Sequence, residues 1–482
     1  MSQDLDKVYK DTEEFRNHIG TVDKDGKRIW IYPKKPSGRL YNARTAVSLV
    51  LLAILFSGPF IRIAGKPLLM LNILERKFIV FGVTFWPQDF HLFALSFLTL
   101  VVFIILFTVA FGRLFCGWAC PQTIFMEMVF RKIEYWIEGD APKQRRLNKG
   151  PWTFEKVWKK SLKYVIFYAI SFFIGNTFLA YIIGTDELFK IITAPPSEHL
   201  SGFIAMVAFT SVFFMVFSWF REQACLMVCP YGRLQGVLLD KDSVVISYDF
   251  NRGEPRGKLK KSAKTQDAQE LVMEQVSDQG DCIDCGLCVQ VCPTGIDIRN
   301  GTQLECVNCT ACIDACDSIM DKVGKPKGLI RYSSFNAISE GKGFHLTPRI
   351  IGYSVVLVIL LSVVTFLMMS RVSIETTILR TPGMLYQETP DGRLQNLYNI
   401  QVVNKTSDTQ HITLRLKGTG EQIPMVSGTE LLVKPEGLGE SALFVKLSPE
   451  QLTGKVTPIE IEVYHQDKLL EVVKTNFLGP EK

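Results

Sequence analysis

The sequence predicts a mixed fold: an α-helical membrane bundle of about five spans, a ferredoxin-like insert built for two clusters, and a C-terminal β-sandwich of immunoglobulin-like size. Three observations carry this. Windows of about 20 residues run almost without charge, where a soluble core helix would show a polar face. All 12 cysteines lie between positions 116 and 316, in four regular groups. The segment after position 370 holds no cysteine and alternates apolar with polar residues.

Composition excludes other classes. Of 482 residues, 47% are hydrophobic and 21% charged, so neither a disordered chain nor an ordinary soluble enzyme fits. The net charge of +6 does not point to nucleic acid, because the basic residues flank the apolar windows instead of forming one face. No nucleic-acid partner is expected.

Residues 1–43 are polar and read as a cytosolic N-terminal arm with no secretory signal. A membrane domain covers 44–240, with spans at 44–63, 91–111, 162–184 and 201–220; a last span covers 350–370. The stretch 67–89 is apolar but carries Glu75, Arg76 and Lys77, so it reads as interfacial or re-entrant, with a sixth span as the alternative. The loop 112–163 has eleven Lys and Arg, whereas 185–200 has only Lys190. The positive-inside rule then puts the N-terminus and the cysteine-rich insert, 241–349, in the cytosol, and the C-terminus outside. The basic run Lys258–Lys264 reads as a contact for anionic lipid headgroups.

In the domain at 371–482, Ile412, Leu414 and Leu416 alternate with Thr413, Arg415 and Lys417. Ile459, Ile461 and Val463 alternate with Glu460 and Glu462, and Gln466-Asp467 separates that run from Leu469–Val473 as a hairpin turn would.

The runs CIDCGLCVQVCP (282–293) and CVNCTACIDACD (306–317) each space four cysteines as C-x2-C-x2-C-x3-C, the pattern of two-cluster ferredoxins. Three thiolates from one loop reach three corners of a cubane, and the fourth ligand crosses from the other run. Cys282, Cys285, Cys288 and Cys316 are therefore expected on one 4Fe-4S centre. Cys306, Cys309, Cys312 and Cys292 are expected on the second. A pair of structural zinc sites is the alternative, but a third cysteine at the same spacing in both runs is redundant for zinc. Pro293 follows the first run and Asp317 the second, which changes the exit turn only.

The second and fourth spans each run into Cys-x-x-x-Cys-Pro: Cys116, Cys120 and Pro121, then Cys225, Cys229 and Pro230. On a helix the two cysteines of each pair share a face, and the proline should kink or stop the helix at the second sulfur. Converged, these four thiols would suit a soft ion such as Cu(I). The pattern is equally compatible with a third iron–sulfur centre or a redox disulfide, and the bland reading is four buried free cysteines. Met126, Met128 and Met227 read as packing before ligation. His91 and His199 sit at span ends, where no bis-histidine haem can form.

These elements, with YDFNRGEPRG (248–257), PTGIDIRNGTQLEC (293–306) and GLIRY (328–332), resemble the FixG/CcoG-type cytochrome c oxidase accessory protein family. The resemblance spans nearly the whole chain. It implies a multi-pass polyferredoxin of the bacterial inner membrane with a periplasmic sandwich, acting as an oxidoreductase that reduces Cu(II) to Cu(I) for a cbb-type cytochrome c oxidase. Copper would sit on Cys116, Cys120, Cys225 and Cys229. The implied partners are the oxidase or its copper-delivery factors, a cytosolic electron donor and membrane lipid. Two other classes compete: a respiratory subunit passing electrons from a cytosolic donor or quinol to a partner protein, and a non-redox assembly scaffold.

Overall fold

The computed structural model describes Thr21, Asp25 and residues 27–63, 65–72, 77–80, 82–86, 89–258, 279–341, 343, 346–383, 385–406, 408–435, 437–466 and 468–480. Apart from Lys258, the basic run up to Lys264 lies outside these residues, as do Glu75 and Arg76. The chain divides into two compact units that meet at Val363/Val364.

Among the described residues, five helices are long and apolar enough to cross a membrane: α1 (Arg39–Ser57), α2 (Phe90–Phe111), α3 (Phe154–Ile183) and α4 (Leu200–Phe220) in the first unit, and α5 (Pro348–Met369), which runs across the boundary. Between 6% and 33% of each apolar window is buried, so these helices keep most of their apolar surface for lipid. Where they do meet, rings interlock: Phe130 stacks on Phe217 at 4.8 Å and meets Phe167 edge-on at 4.8 Å.

The helix ends differ from the expected ones for local reasons. Helix α1 begins at Arg39 instead of Arg44 and ends at Ser57, because Gly58-Pro59 follows. Its extra first turn is capped from the cysteine-rich insert: Asp314 accepts from the Leu40 and Tyr41 amides at 3.1 and 2.7 Å. Arg44 is buried in protein, not lipid, and donates to the Gly117 and Cys309 carbonyls at 2.6 and 3.4 Å. Helix α3 starts at Phe154, before the apolar stretch at 162, because the Thr153 hydroxyl caps the Lys156 amide.

The segment 67–89 is not a sixth helix. Its described residues form an antiparallel meander of β1 (Leu69–Asn72), β2 (Lys77–Val80) and β3 (Val83–Phe85). Strands of four, four and three residues are too short to span the hydrocarbon.

The insert is closed at its base by an antiparallel pair, β4 (Val245–Tyr248) with β5 (Ile330–Ser333). Between them lie the helices Leu287–Gln290 and Ala311–Val323, each starting two residues after the middle cysteine of its run. The exit turns diverge as the sequences do. With Pro293 absent from the second run, its helix continues past Cys316 to Val323.

The second unit, considered by itself, is a sandwich of two antiparallel sheets. One joins β6 (Ile374–Arg380), β7 (Gln387–Glu388), β8 (Leu394–Asn404) and β11 (Leu438–Leu447) in the order β11-β8-β6, with β7 pairing on β8. The other has the order β10-β9-β12-β13, formed by β9 (Gln410–Leu416), β10 (Leu431–Val433), β12 (Val456–His465) and β13 (Lys468–Leu478). Alternation places Ile412, Leu414, Ile461 and Val463 in the core beside Tyr398, Leu443 and Phe477. The β12–β13 hairpin pairs His465 with Lys468, with Gln466 between them at φ 52°.

Candidate redox centres

The two ferredoxin runs have the same backbone. In each, the residues before and after the middle cysteine take positive φ: Asp284 at 49° and Gly286 at 64°, then Asn308 at 51° and Thr310 at 65°. Three of these are not glycine, so the conformation carries strain. Such turns point successive amides inward, forming a concavity suited to an anionic group.

Two cavities follow from this. One, of about 360 Å³, is lined by Cys282, Cys285, Cys288 and Cys316 with Tyr248, Arg299 and Ile330. The other, of about 330 Å³, is lined by Cys292, Cys306, Cys309 and Cys312, with Cys288 on the shared wall. Cys292 lines the cavity of the second run and Cys316 that of the first. Among the described residues, no three Cys, His, Asp or Glu side chains gather closely enough for a bare metal ion, and this holds for Cys116, Cys120, Cys225 and Cys229 as for the ferredoxin runs. The thiols surround cavities instead of one point, which suits cubanes and not zinc tetrahedra. Around the second cavity, Asn308 and Thr310 are fully buried, yet Asn308 Nδ2 and Thr310 Oγ1 find no partner among the described residues. Unpaired buried donors of this kind fit an acceptor seated in the cavity.

Electrostatics point the same way. Burial pushes the free thiols of Cys288, Cys306 and Cys316 up to about 12 and that of Cys309 up to about 11, and raises Cys312 well above the ordinary range. Thiolates require the positive charge of bound iron.

The Cys-x-x-x-Cys-Pro elements break where proline demands. Cys120 (ψ 122°) and Cys229 (ψ 111°) are extended, and Pro121 and Pro230 each start a new helical turn. The duplication reaches further back than the motif. Gly112 and Arg221, each four residues before the first cysteine, end α2 and α4 at nearly the same unusual angles, φ 56°, ψ −130° and φ 54°, ψ −123°. Arg221 holds this glycine-like conformation while paired to Glu134 at 2.7 Å.

The two elements are tied through Cys116 to Gln235 and Arg113 to the Gly232 carbonyl; burial first, and Cys120, Cys116 and Cys229 second, push the Cys225 thiol up to about 12. Cys116 is buried and donates to Gln235 Oε1 at 3.3 Å. Of the methionines, Met126 packs in the aromatic core, the Met128 sulfur accepts from Thr45, and Met227 is exposed. His91 and His199 are exposed.

Residues that motif spacing does not reveal join the sulfur sites. Arg113, buried, donates to Gln235 Oε1 at 2.7 Å, to the Gly232 carbonyl at 2.9 Å and to the Cys306 carbonyl at 3.3 Å, so it touches both Cys-x-x-x-Cys-Pro elements and the second cavity. Trp118 Nε1 donates to Tyr332, whose hydroxyl donates to the Asn308 carbonyl. Gly117 lies so close to Asn308 that a Cβ would stand 2.2 Å from its carbonyl oxygen. Arg113 and Arg44 look like topology charges in the sequence, since both flank apolar windows. The loop Asn251–Glu254 is anchored structurally, through Asn251 to the Ile338 carbonyl and Arg252 to that of Pro326.

Five membrane helices joined to two cysteine-lined cavities define a membrane-bound iron–sulfur electron-transfer protein. Three family models match the chain: a 4Fe-4S binding domain over residues 93–143, a stretch that holds Cys116 and Cys120, a 4Fe-4S dicluster domain over 220–335, and the IG-like fold at the C-terminal of FixG over 364–480. The chain is 34% identical to Protein RdxB of Cereibacter sphaeroides, covering 85% of each chain. It is 32% identical to Protein RdxA of the same organism, over 90% of this chain and 93% of that one. To the nitrogen fixation protein FixG of Rhizobium meliloti it is 32% identical, over 91% of this chain and 86% of the relative. The chain belongs to the FixG family.

Proposed function

We propose that this protein reduces Cu(II) to Cu(I) at a four-thiol site, Cys116, Cys120, Cys225 and Cys229, in the service of assembling a cbb-type cytochrome c oxidase. Cu(II) is the substrate: it accepts one electron and leaves as Cu(I), which soft thiolates hold better than they hold Cu(II). Two 4Fe-4S clusters, when bound, supply the single electrons. Their ligands are Cys282, Cys285, Cys288 and Cys316 for one and Cys292, Cys306, Cys309 and Cys312 for the other.

The observation that carries this reading is the contact of Gly117 with Asn308, reinforced by Arg113 spanning Gly232 and Cys306. It joins the loop between Cys116 and Cys120 to the loop between Cys306 and Cys309, backbone to backbone. Cys285, by contrast, is exposed, which gives a soluble donor an approach to the first cavity. Buried thiols of raised pKa stay protonated and resist ionisation until a metal displaces the proton. With the N-terminus and ferredoxin insert in the cytosol and the sandwich in the periplasm, the donor is cytosolic, and the sandwich meets the oxidase or its copper-delivery factors.

The test is the double variant Cys116→Ser with Cys225→Ser in the full-length, anaerobically purified protein. Cu(I) binding and Cu(II) reduction are expected to be lost while both clusters keep their spectra and still accept electrons from dithionite. Cu(II) reduction at the wild-type rate would overturn the copper reading.

A further inference from the structure

We propose that a cavity on the first unit, separate from the sulfur sites, binds the phosphate-bearing headgroup of an anionic membrane phospholipid. The cavity is an open cleft where the stretch before α1, the helix Arg131–Ile137, the start of α3 and the end of α4 meet. Its charged lining is Glu134, Glu138, Lys156, Lys160, Lys163 and Arg221: four cations and two carboxylates. Five of the six are buried to within 8% of full exclusion, and Lys160 is the sixth.

The pairing leaves positive charge over. Glu134 takes Arg221 at 2.7 Å and Lys163 at 3.5 Å; Glu138 takes Lys163 at 2.8 Å and Lys160 at 2.9 Å. Lys156 has no carboxylate. Its ammonium donates to the Asn148 and Gly150 carbonyls at 2.9 and 2.7 Å and lies 4.9 Å from the Trp152 ring centroid. Beneath the lining, Arg28 and Arg131 are matched by Glu222 and Glu127, and Glu222 also reaches Arg221 at 3.8 Å; counted together, six cations meet four carboxylates, so the excess stands. Two positive charges in excess on side chains that are mostly buried are costly unless an anion joins them.

The surroundings identify the anion's source. Trp152, at the rim, is 75% exposed, and Trp136, Trp158 and Trp219 are 78%, 59% and 51% exposed around the same end of the bundle. Exposed tryptophans at helix ends mark the headgroup level of a bilayer, and basic pockets between membrane helices at that level suit anionic headgroups. Val165 and Phe172, exposed further along α3, offer apolar surface for the acyl chains. A neutral quinone would leave the charge uncompensated.

The experiment uses the full-length protein in detergent, its iron content verified, and measures lipid retention by native mass spectrometry with added phosphatidylglycerol or phosphatidylcholine. Phosphatidylglycerol should be retained and phosphatidylcholine not. Lys156→Gln should lower retention about fivefold, and Lys160→Gln, a change at the pocket mouth that leaves the core intact, should lower it by a similar factor. Lys156→Arg should restore it. Equal retention of both lipids, unchanged retention in both glutamine variants, displacement of the lipid by millimolar inorganic phosphate, or a quinone retained in its place would each overturn the proposal.

Discussion

Gly117→Ala is the sharpest probe of how the membrane sulfurs meet the ferredoxin insert. Gly117 sits in an ordinary helical turn, so alanine costs nothing in backbone conformation. Its new Cβ, however, would lie 2.2 Å from Asn308 O, 2.7 Å from Asn308 C and 2.8 Å from Val307 O, where ordinary contact begins at 3.4 Å. The obstacles are backbone atoms of the Cys306–Cys309 loop, so no rotamer change relieves them. The two loops must separate by about 1 Å, at a cost of roughly 1–3 kcal/mol typical of overpacking. The assay is electron paramagnetic resonance of the dithionite-reduced protein beside stopped-flow Cu(II) reduction. The signal of the centre at Cys292, Cys306, Cys309 and Cys312 should shift while that of the centre at Cys282, Cys285, Cys288 and Cys316 is unchanged, and Cu(II) reduction should slow about tenfold for each ~1.4 kcal/mol lost from the productive contact. Wild-type spectra with a wild-type rate would refute the reasoning, because the loop contact would then have no bearing on transfer.

Anaerobically purified protein should carry about eight irons and eight labile sulfides, and Cys285→Ser should remove the signal of its own centre while sparing the other; stoichiometric zinc without sulfide would refute the cluster assignment. Glu134 makes stability acid-sensitive. Burial alone would raise its carboxyl, but Arg221, Lys163 and Arg131 hold it below the ordinary 4.5. Its stabilisation is therefore present above 4.5 and lost as pH falls through the depressed folded value. Thermal melts from pH 6 to pH 3 should show a smaller acid-induced drop in Glu134→Gln than in wild type. A reporter fused after Lys482 should be active only on the side opposite the N-terminus, as five crossings require; the same side for both ends would remove one span from the count.

What the sequence by itself determined is whatever depends on near neighbours in the chain. Apolar windows marked the five crossings because a spanning helix must be apolar over consecutive residues. Cysteine spacing identified both cluster-binding runs, because one loop must carry several thiols at fixed intervals to hold a cubane. Period-two alternation exposed the strands of the sandwich, and proline located the breaks at Cys120 and Cys229. Tertiary structure decided what depends on chain segments far apart. Arg44 and Arg113 turned from flanking charges into buried donors to carbonyls more than 100 residues away, since burial of a charge is set by what folds over it. Asp314, between two cluster cysteines, became the cap of α1 because its helix packs there. The apolar segment after α1 became a meander, since its short strands satisfy their backbone groups by pairing with one another, a choice that composition leaves open. The positive-φ turn at Thr310 was hidden for the same reason: unlike Asp284 and Asn308, a β-branched residue carries no turn-former's signature and is held there by what packs around it.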